Sequence, residues 1–385
     1  MRSTRLRLSS TTILFGAFFV ARAIGAQSLA PRITDKELWE LNTQFSESAG
    51  YFRSDNFLSN ETGFQYVIPE LLKRIQPGGV YLGVGPEQNF TYIVALQPKI
   101  AFIFDIRRGN MIAHLMYKAL LETSADRADF LSKLFSRPRP AGLDTNSTPK
   151  QLFDAYTAAT PDSVVFRKNL AAIKEYLTKA HGFVMADSDS KLFDFTYGAF
   201  FGGGPQINYN YPYGGRGFGR GGMPNYATLQ NATDSTGKNW AYLATEANFR
   251  WLKDFESKNL LVPVVGNFAG PKAIRAVGQY LKDHHAVVSA FYTSNVEQYL
   301  WQQGDDAPNY YRNVATLPLD STSTFIRSIG GGFRGRAMPL NPNIYSAQAR
   351  LGGRLPSVTS SMLDLVKAFN EGRLNSYADV INMSR

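Results

Sequence analysis

Apolar positions recur three and four residues apart in DKELWELNTQF (35–45) and YVIPELLKRI (66–75), a spacing that predicts two helices joined by the polar link YFRSDNFLSNETG (51–63). Past residue 77 the period changes. GVYLGV (79–84) and KIAFIFDI (99–106) are short β-rich runs, each preceded by a turn signal, Pro77-Gly78-Gly79 or Gln97-Pro98, and each followed by helix-like sequence. From Glu122 to Lys179 the chain reads as mostly helical and charged, broken by a loop at SRPRPAGLDTNSTP (136–149). After Ala244 the alternation returns: helix 245–259, strand 260–268, helix 270–284, strand 286–295 and helix 296–303. Two later β-like runs, NVATLP (313–318) and STFIRSI (323–329), are expected to pair as the closing edge.

Strand and helix in alternation describe an α/β fold with a doubly wound, mostly parallel sheet. The two halves frame a helical and low-complexity insertion over about residues 123–244, inside a single domain that follows a leader and runs from residue 27 to 385. Within the insertion, GGGPQINYNYPYGGRGFGRGGMPNY (202–226) mixes glycine, arginine and aromatic residues in the manner of RNA-gripping segments. One short copy does not make nucleic acid the expected partner, and a flexible surface loop or lid is the simpler reading.

The first 26 residues change the picture of destination. Arg2, Arg5 and Arg7 precede an apolar run from Ile13 to Ala21 and then Ala23-Ile24-Gly25-Ala26, the order of a cleavable secretory signal with a core too short to span a membrane. The mature chain is expected to be exported, periplasmic or secreted, without a membrane span. Its charge falls from +10 to +6, since the segment holds four arginines and no acid. That surplus does not by itself call for a polyanion. Cysteine is absent, which excludes disulfides, thiolate nucleophiles and Cys-bound zinc. Four histidines, with no His-x-x-x-His pair, give no expected metal site, and His114 is expected to be a packed or surface residue of a helix.

Candidate chemistry concentrates where the first strand ends. VYLGV runs into Gly83-Val84-Gly85-Pro86-Glu87-Gln88-Asn89, and Asp105 lies 20 residues beyond Gly85 at the tip of the next strand. Glycines at such a turn let backbone approach a ligand, the following helix offers its first amides, and a carboxylate at the second tip can accept both ribose hydroxyls. Gly83, Gly85, Gln88, Asn89 and Asp105 are therefore the candidate cofactor residues for an adenosine-containing small molecule. Gln88 stands where a dinucleotide fingerprint has its third glycine, and Tyr81 where S-adenosylmethionine (SAM) enzymes commonly carry an acid. Two polar clusters are candidate crevice residues: Asn60 and Glu61 in SDNFLSNE, and Tyr292, Ser294 and Asn295 in FYTSNVEQY, which falls at a strand's carboxyl end. The competing reading is helix capping, with Ser294 and Glu297 at capping-box spacing and Ser59 or Asn60 capping the helix after them.

YFRSDNFLSNETGFQYVIPEL, GGVYLGVGPEQNFTYIVALQPKIAFIFDIRRGN and VPVVGNFAGPKAIRAVGQYLKDHHAVVSAFYTSNVEQYL together resemble an uncharacterised bacterial family whose fold looks like that of class I SAM-dependent methyltransferases. The resemblance implies a Rossmann fold and a crevice for SAM, with Gly266-Asn267-Phe268 on the substrate side. Asn267 is not followed by the Pro-Pro-aromatic sequence of amino methyltransferases, so the resemblance brings no acceptor with it. Two functions remain open. One is a SAM-dependent methyltransferase of unknown acceptor; the other is an exported binding protein or pseudoenzyme that uses the same crevice for another ligand. No protein partner is indicated.

Overall fold

The computed structural model describes residues 28–211, 223–329 and 357–384. The expected export signal 1–26 and the centre of the glycine-arginine stretch, 213–222, lie outside these residues.

Continuous apolar runs build the centre. Strands β1 (Val80–Val84), β2 (Ile100–Asp105), β3 (Leu261–Val265), β4 (Val288–Ser294) and β5 (Thr324–Ser328) lie parallel, and β6 (Ser357–Ser361) runs antiparallel to β5. Every residue of β1, β2 and β3 is buried, which is why these strands read as unbroken apolar segments and not as alternating ones. The sheet order is β3-β2-β1-β4-β5-β6. Pro263, which cannot donate a ladder hydrogen bond, is accommodated because β3 is an edge strand.

Helices cover both faces, as the alternation requires. On one side α3 (Gln88–Leu96) and α4 (Arg108–Thr123) pack with α10 (Glu246–Ser257); on the other, α1 (Asp35–Phe45), α11 (Ala273–Asp283) and α13 (Asp306–Val314) pack in series. This is a doubly wound α/β arrangement of Rossmann type. Two of these helices start at a side-chain cap: Thr34 and Glu37 form a capping box on α1, and the Thr245 hydroxyl accepts from Asn248 N at the start of α10. Helix α11 buries Ala273, Ile274, Val277, Gly278 and Leu281, the stripe that one packed face demands.

Helix α4 is different, being buried without interruption from Asn110 to Leu121. A helix buried all round needs cover on its outer face, and α8 (Asp187–Gly203) of the inserted segment supplies it. The inserted helices also contribute Phe130, Tyr156, Tyr197 and Phe200 to the same hydrophobic cluster as the sheet.

The closing edge differs from the expectation. NVATLP ends α13 and continues as a turn, while β5 takes β6 as its antiparallel neighbour, with Ser328 opposite Ser357 and Thr324 opposite Ser361. Asn313 is drawn out of any strand by packing: its amide donates to the carbonyls of Phe268 and Gly270 at 2.8 and 2.7 Å. Among the described residues no helix is long and apolar enough to cross a membrane, and no group of three His, Asp or Glu side chains could hold a metal ion.

Two buried electrostatic features make testable claims. Arg327 on β5 is fully buried and pairs with Glu297, whose carboxylate also accepts from the Tyr311 hydroxyl at 2.7 Å. Arg327→Met strands a buried carboxylate and should cost about 3–5 kcal/mol. Adding Glu297→Gln should return much of that loss in denaturant unfolding; a double variant as unstable as the single would locate the cost in packing instead. Glu87 is buried beside Tyr117, Tyr226 and Tyr242 with neither carboxyl oxygen partnered, and burial pushes its pKa up to about 8. The unfolded chain loses that proton near the ordinary value of 4.5 while the folded chain keeps it to about 8, so Glu87 lowers stability progressively as pH rises across that window. Glu87→Gln should therefore raise stability near pH 8, by about 2–4 kcal/mol, and leave it nearly unchanged near pH 4. Equal effects at the two pH values, measured by thermal unfolding, would refute the assignment.

Candidate functional site

The strand order reverses between β1 and β4, and a cleft opens there at the carboxyl ends of the strands. Its free space, counted with the open mouth and the solvent in it, is about 1070 Å³. The floor is the turn after β1. Gly85 adopts φ +81°, and a Cβ built on it would meet nothing within 4 Å, so the turn presents bare backbone to the cleft. From beneath, His114 on α4 donates its Nε2–H to the Gly85 carbonyl at 2.9 Å. Burial lowers the His114 pKa to about 4, so the ring is a neutral prop for the turn and a packed residue.

The other residues of that turn divide into two roles. Gly83 and Asn89 do not line the cleft. The Asn89 amide folds back to donate to Val84 O at 3.0 Å and Pro86 O at 2.7 Å, while its Oδ1 accepts from the Tyr81 hydroxyl at 2.8 Å. A Cβ on Gly83 would strike that Asn89 oxygen, so Gly83 is small to close the turn and not to admit a ligand. Gln88 does line the cleft, its amide nitrogen donating to the Tyr292 hydroxyl.

Asp105 stands at the tip of β2 and lines the cleft, but it is not a free carboxylate: it is 5% exposed. Its Oδ1 accepts from Arg107 N at 2.8 Å and Nε at 3.1 Å, and its Oδ2 from Nη2 at 2.9 Å. Arg107 also donates to the carbonyls of Ser54 and Asp55. Two ribose hydroxyls would find most of the acceptor capacity of Asp105 already taken, which corrects the expectation of an exposed acid free to hold both.

The segment before α2 (Ile68–Arg74) forms the roof by crossing the strand tips in turn. Glu47 N donates to Val265 O at the end of β3, and its carboxylate accepts from the amides of Asn267, Lys272 and Ala273. Gly50 N donates to Ile106 O beyond β2. Glu61 then reaches the tip of β4, where its Oε1 accepts from the Tyr292 and Ser294 hydroxyls, both at 2.6 Å. Burial raises the Glu61 pKa, opposed by the Ser294 and Tyr292 hydroxyls on Oε1 and by the nearby Ser328 hydroxyl.

These bonds settle the capping question against caps. Ser294 is committed to Glu61, Glu297 to Arg327, and α12 (Val296–Leu300) starts with no side-chain cap. Ser59 Oγ accepts from Glu61 N at 3.1 Å within a local turn, and the helical turn after it begins at Gly63, again uncapped by a side chain. Ser294 holds φ +50°, an uncommon conformation for serine.

The structure thus brings Asn60, Glu61, Gly85, Gln88, Asp105, Asn267, Tyr292, Ser294 and Asn295 to one cleft and leaves Gly83 and Asn89 behind its floor. Asn267 faces it while its Oδ1 accepts from Ala269 N at 3.0 Å. Tyr51, Phe52, Tyr209, Tyr299, Gln303 and Asp306 also line it and were not singled out in the sequence. Tyr209 comes from the glycine-rich stretch, whose described part is anchored to the roof: Phe57 N donates to Tyr209 O, and Asp55 N to Asn210 Oδ1, both at 3.1 Å. Tyrosine alternating with asparagine in NYNY was the available signal for an ordered, polar-aromatic contact surface.

No curated protein matches the chain. Residues 56–190 and 218–353, more than half of the sequence and including both flanks of the cleft, match one family, described as a domain of unknown function. The chain belongs to that family, DUF7790.

Proposed function

We propose that the cleft binds an adenosine-type ligand bearing positive charge, with SAM the best fit, and that the protein is a methyltransferase-like protein of unknown acceptor. The observation that carries this reading is the chemistry of the lining. Among the described residues it includes the acids Glu61, Asp105 and Asp306 and the aromatic rings of Tyr51, Phe52, Tyr209, Phe268, Tyr292 and Tyr299, and no lysine, arginine or histidine. A pyrophosphate would meet acids here with no lining cation to balance it, Asp105 being the one paired from behind by Arg107, whereas a cation gains from both the acids and the aromatic faces. The antiparallel β6 adds to the case against a dinucleotide, because only the β1-β2-β3 half has the all-parallel form of a mononucleotide unit.

SAM supplies an already activated methyl group, so the chain's own task would be alignment. In this reading Asp105 would accept one ribose hydroxyl at Oδ2, which has a single donor from Arg107, and Gly85 would allow the ligand to approach the floor. The pairing of Asp105 with Arg107 favours the second reading, a non-catalytic binding protein, to the extent that it reduces the ribose clamp. The two readings share the ligand class and differ in whether a methyl group is ever transferred.

Calorimetry of the purified protein against SAM, S-adenosylhomocysteine, NAD and adenosine should show SAM and S-adenosylhomocysteine binding more tightly than NAD. Tighter binding of NAD, or of none of them, would defeat the proposal. Asp105→Ala should weaken SAM by about 1.5–3 kcal/mol, the scale of one hydrogen bond to a charged group, and lower stability as well because Arg107 loses its partner. Gly85→Val should abolish binding by filling the floor and cost about 1–2 kcal/mol for a β-branched residue at positive φ. Unaltered SAM affinity in Gly85→Val would place the ligand elsewhere.

A further inference from the structure

Three side chains of the cleft lining carry buried oxygens without a hydrogen-bond donor: Asn56 Oδ1, Glu61 Oε2 and Gln88 Oε1. All three are acceptors. Buried polar atoms are normally partnered, so a concentration of unfilled acceptors on one cleft marks where a donor-rich group would be held. Glu61 is the charged member of the set. Its Oε1 is fixed by Tyr292 and Ser294, which aims the carboxyl and leaves Oε2 over.

Several other buried acids of this molecule are neutralised internally, while Glu87 and Glu256, buried with both oxygens unpartnered, lie outside the cleft lining. Glu297 has Arg327, Asp105 has Arg107, and Asp189 has Arg108 at 2.5 Å. Glu61 has only neutral hydroxyl partners, and burial without a cation raises its pKa. A carboxylate desolvated in this way gains strongly from an arriving positive charge that also donates hydrogen bonds.

Position selects which part of the ligand would arrive there. Asp105 ends β2, Gly85 follows β1 and Tyr292 and Ser294 end β4, in that order across the sheet. Adjacent strands lie about 4.8 Å apart, so a ligand with its ribose at β2 carries its next part over β1 to β4. In an adenosyl amino acid that part ends in an ammonium group and a carboxylate, of which only the ammonium suits an acceptor-only carboxyl. We propose that Glu61 is the counter-ion of this ammonium, its Oε2 accepting an N–H from the ligand with Asn56 Oδ1 and Gln88 Oε1 as neighbouring acceptors. The assignment rests on the adenosyl reading of the cleft. It gives Glu61, reached from the roof, the charge that Tyr81 cannot supply from β1, its hydroxyl being turned to Asn89.

The test compares three ligands on the full chain by calorimetry: SAM and S-adenosylhomocysteine, which both carry the ammonium, and 5′-methylthioadenosine, which shares the nucleoside and lacks it. Glu61→Gln should weaken the first two about tenfold or more, the scale of a hydrogen bond to a charged group, and leave methylthioadenosine within about twofold. Ser294→Ala keeps the carboxylate but removes one of its anchors, so it should weaken the same two ligands by a smaller factor, about threefold; this variant carries the test if Glu61→Gln does not fold. Equal loss for all three ligands, or no loss for any, would overturn the assignment. Loss for SAM alone would move the interaction to the sulfonium and overturn it too. If the unaltered protein binds none of the three, the adenosyl reading itself fails and the assignment falls with it.

Discussion

Strand order is the constraint on which the rest depends. The chain leaves β1 toward β2 and β3 on one side, then returns through α11 to lay β4 against the other side of β1. Helices that follow β1 and β4 depart to opposite faces, so neither covers the gap between the two tips. The cleft is a consequence of that connectivity, and its floor is whatever the turn after β1 presents. Here it is Gly85 backbone, held from below by His114.

An open switch point would expose the tips of the central strands, and the segment before α2 answers this by roofing them. It is fastened at three strands by three different chemistries: a backbone and carboxylate clamp from Glu47 at β3, a guanidinium from Arg107 at β2, and the Glu61 carboxyl at β4. The first two are complete. The third stops halfway, with one oxygen used and one left over. Burying a carboxyl group without a cation is costly, and the roof carries that cost at the point where a ligand would enter.

The same contrast runs through the acidic residues of the molecule. The Arg327–Glu297 pair joins β5 to α12 and, through Thr293, Ser360 and Tyr311, to β4, β6 and α13. The Glu297 carboxylate, with both oxygens taken twice, has no capacity left for a ligand. Glu61 and Glu87 are the opposite case, with oxygens unspent on either side of the β1 turn. Glu87 faces tyrosines in the interior, whereas Glu61 faces the cleft, where the proposed ligand would meet it.

Local spacing made much of this legible. Unbroken apolar runs bounded by turn signals located β1 to β5, apolar stripes located α1, α10 and α11, and the rule that parallel sheets bind at strand tips selected Gly85, Asp105 and Ser294 before any contact was known. Those features depend only on which face a residue occupies, and that is written in periods of two and 3.6 residues. Partner choice is not written there. Ser294 at capping-box distance from Glu297 takes Glu61 instead, 233 residues away, and Glu297 turns inward to Arg327. Asp105 sits at the expected distance from Gly85 but is claimed by its neighbour Arg107, while Gly83 and Asn89, inside the motif, only close the turn. The sequence by itself determined β1 to β5, the helices α1, α10 and α11 and the carboxyl end of the sheet, and it missed β6 as the closing edge. Only the tertiary structure decided which acids are neutralised and which is left with an unused oxygen, because that depends on which distant segments arrive at the same strand tip.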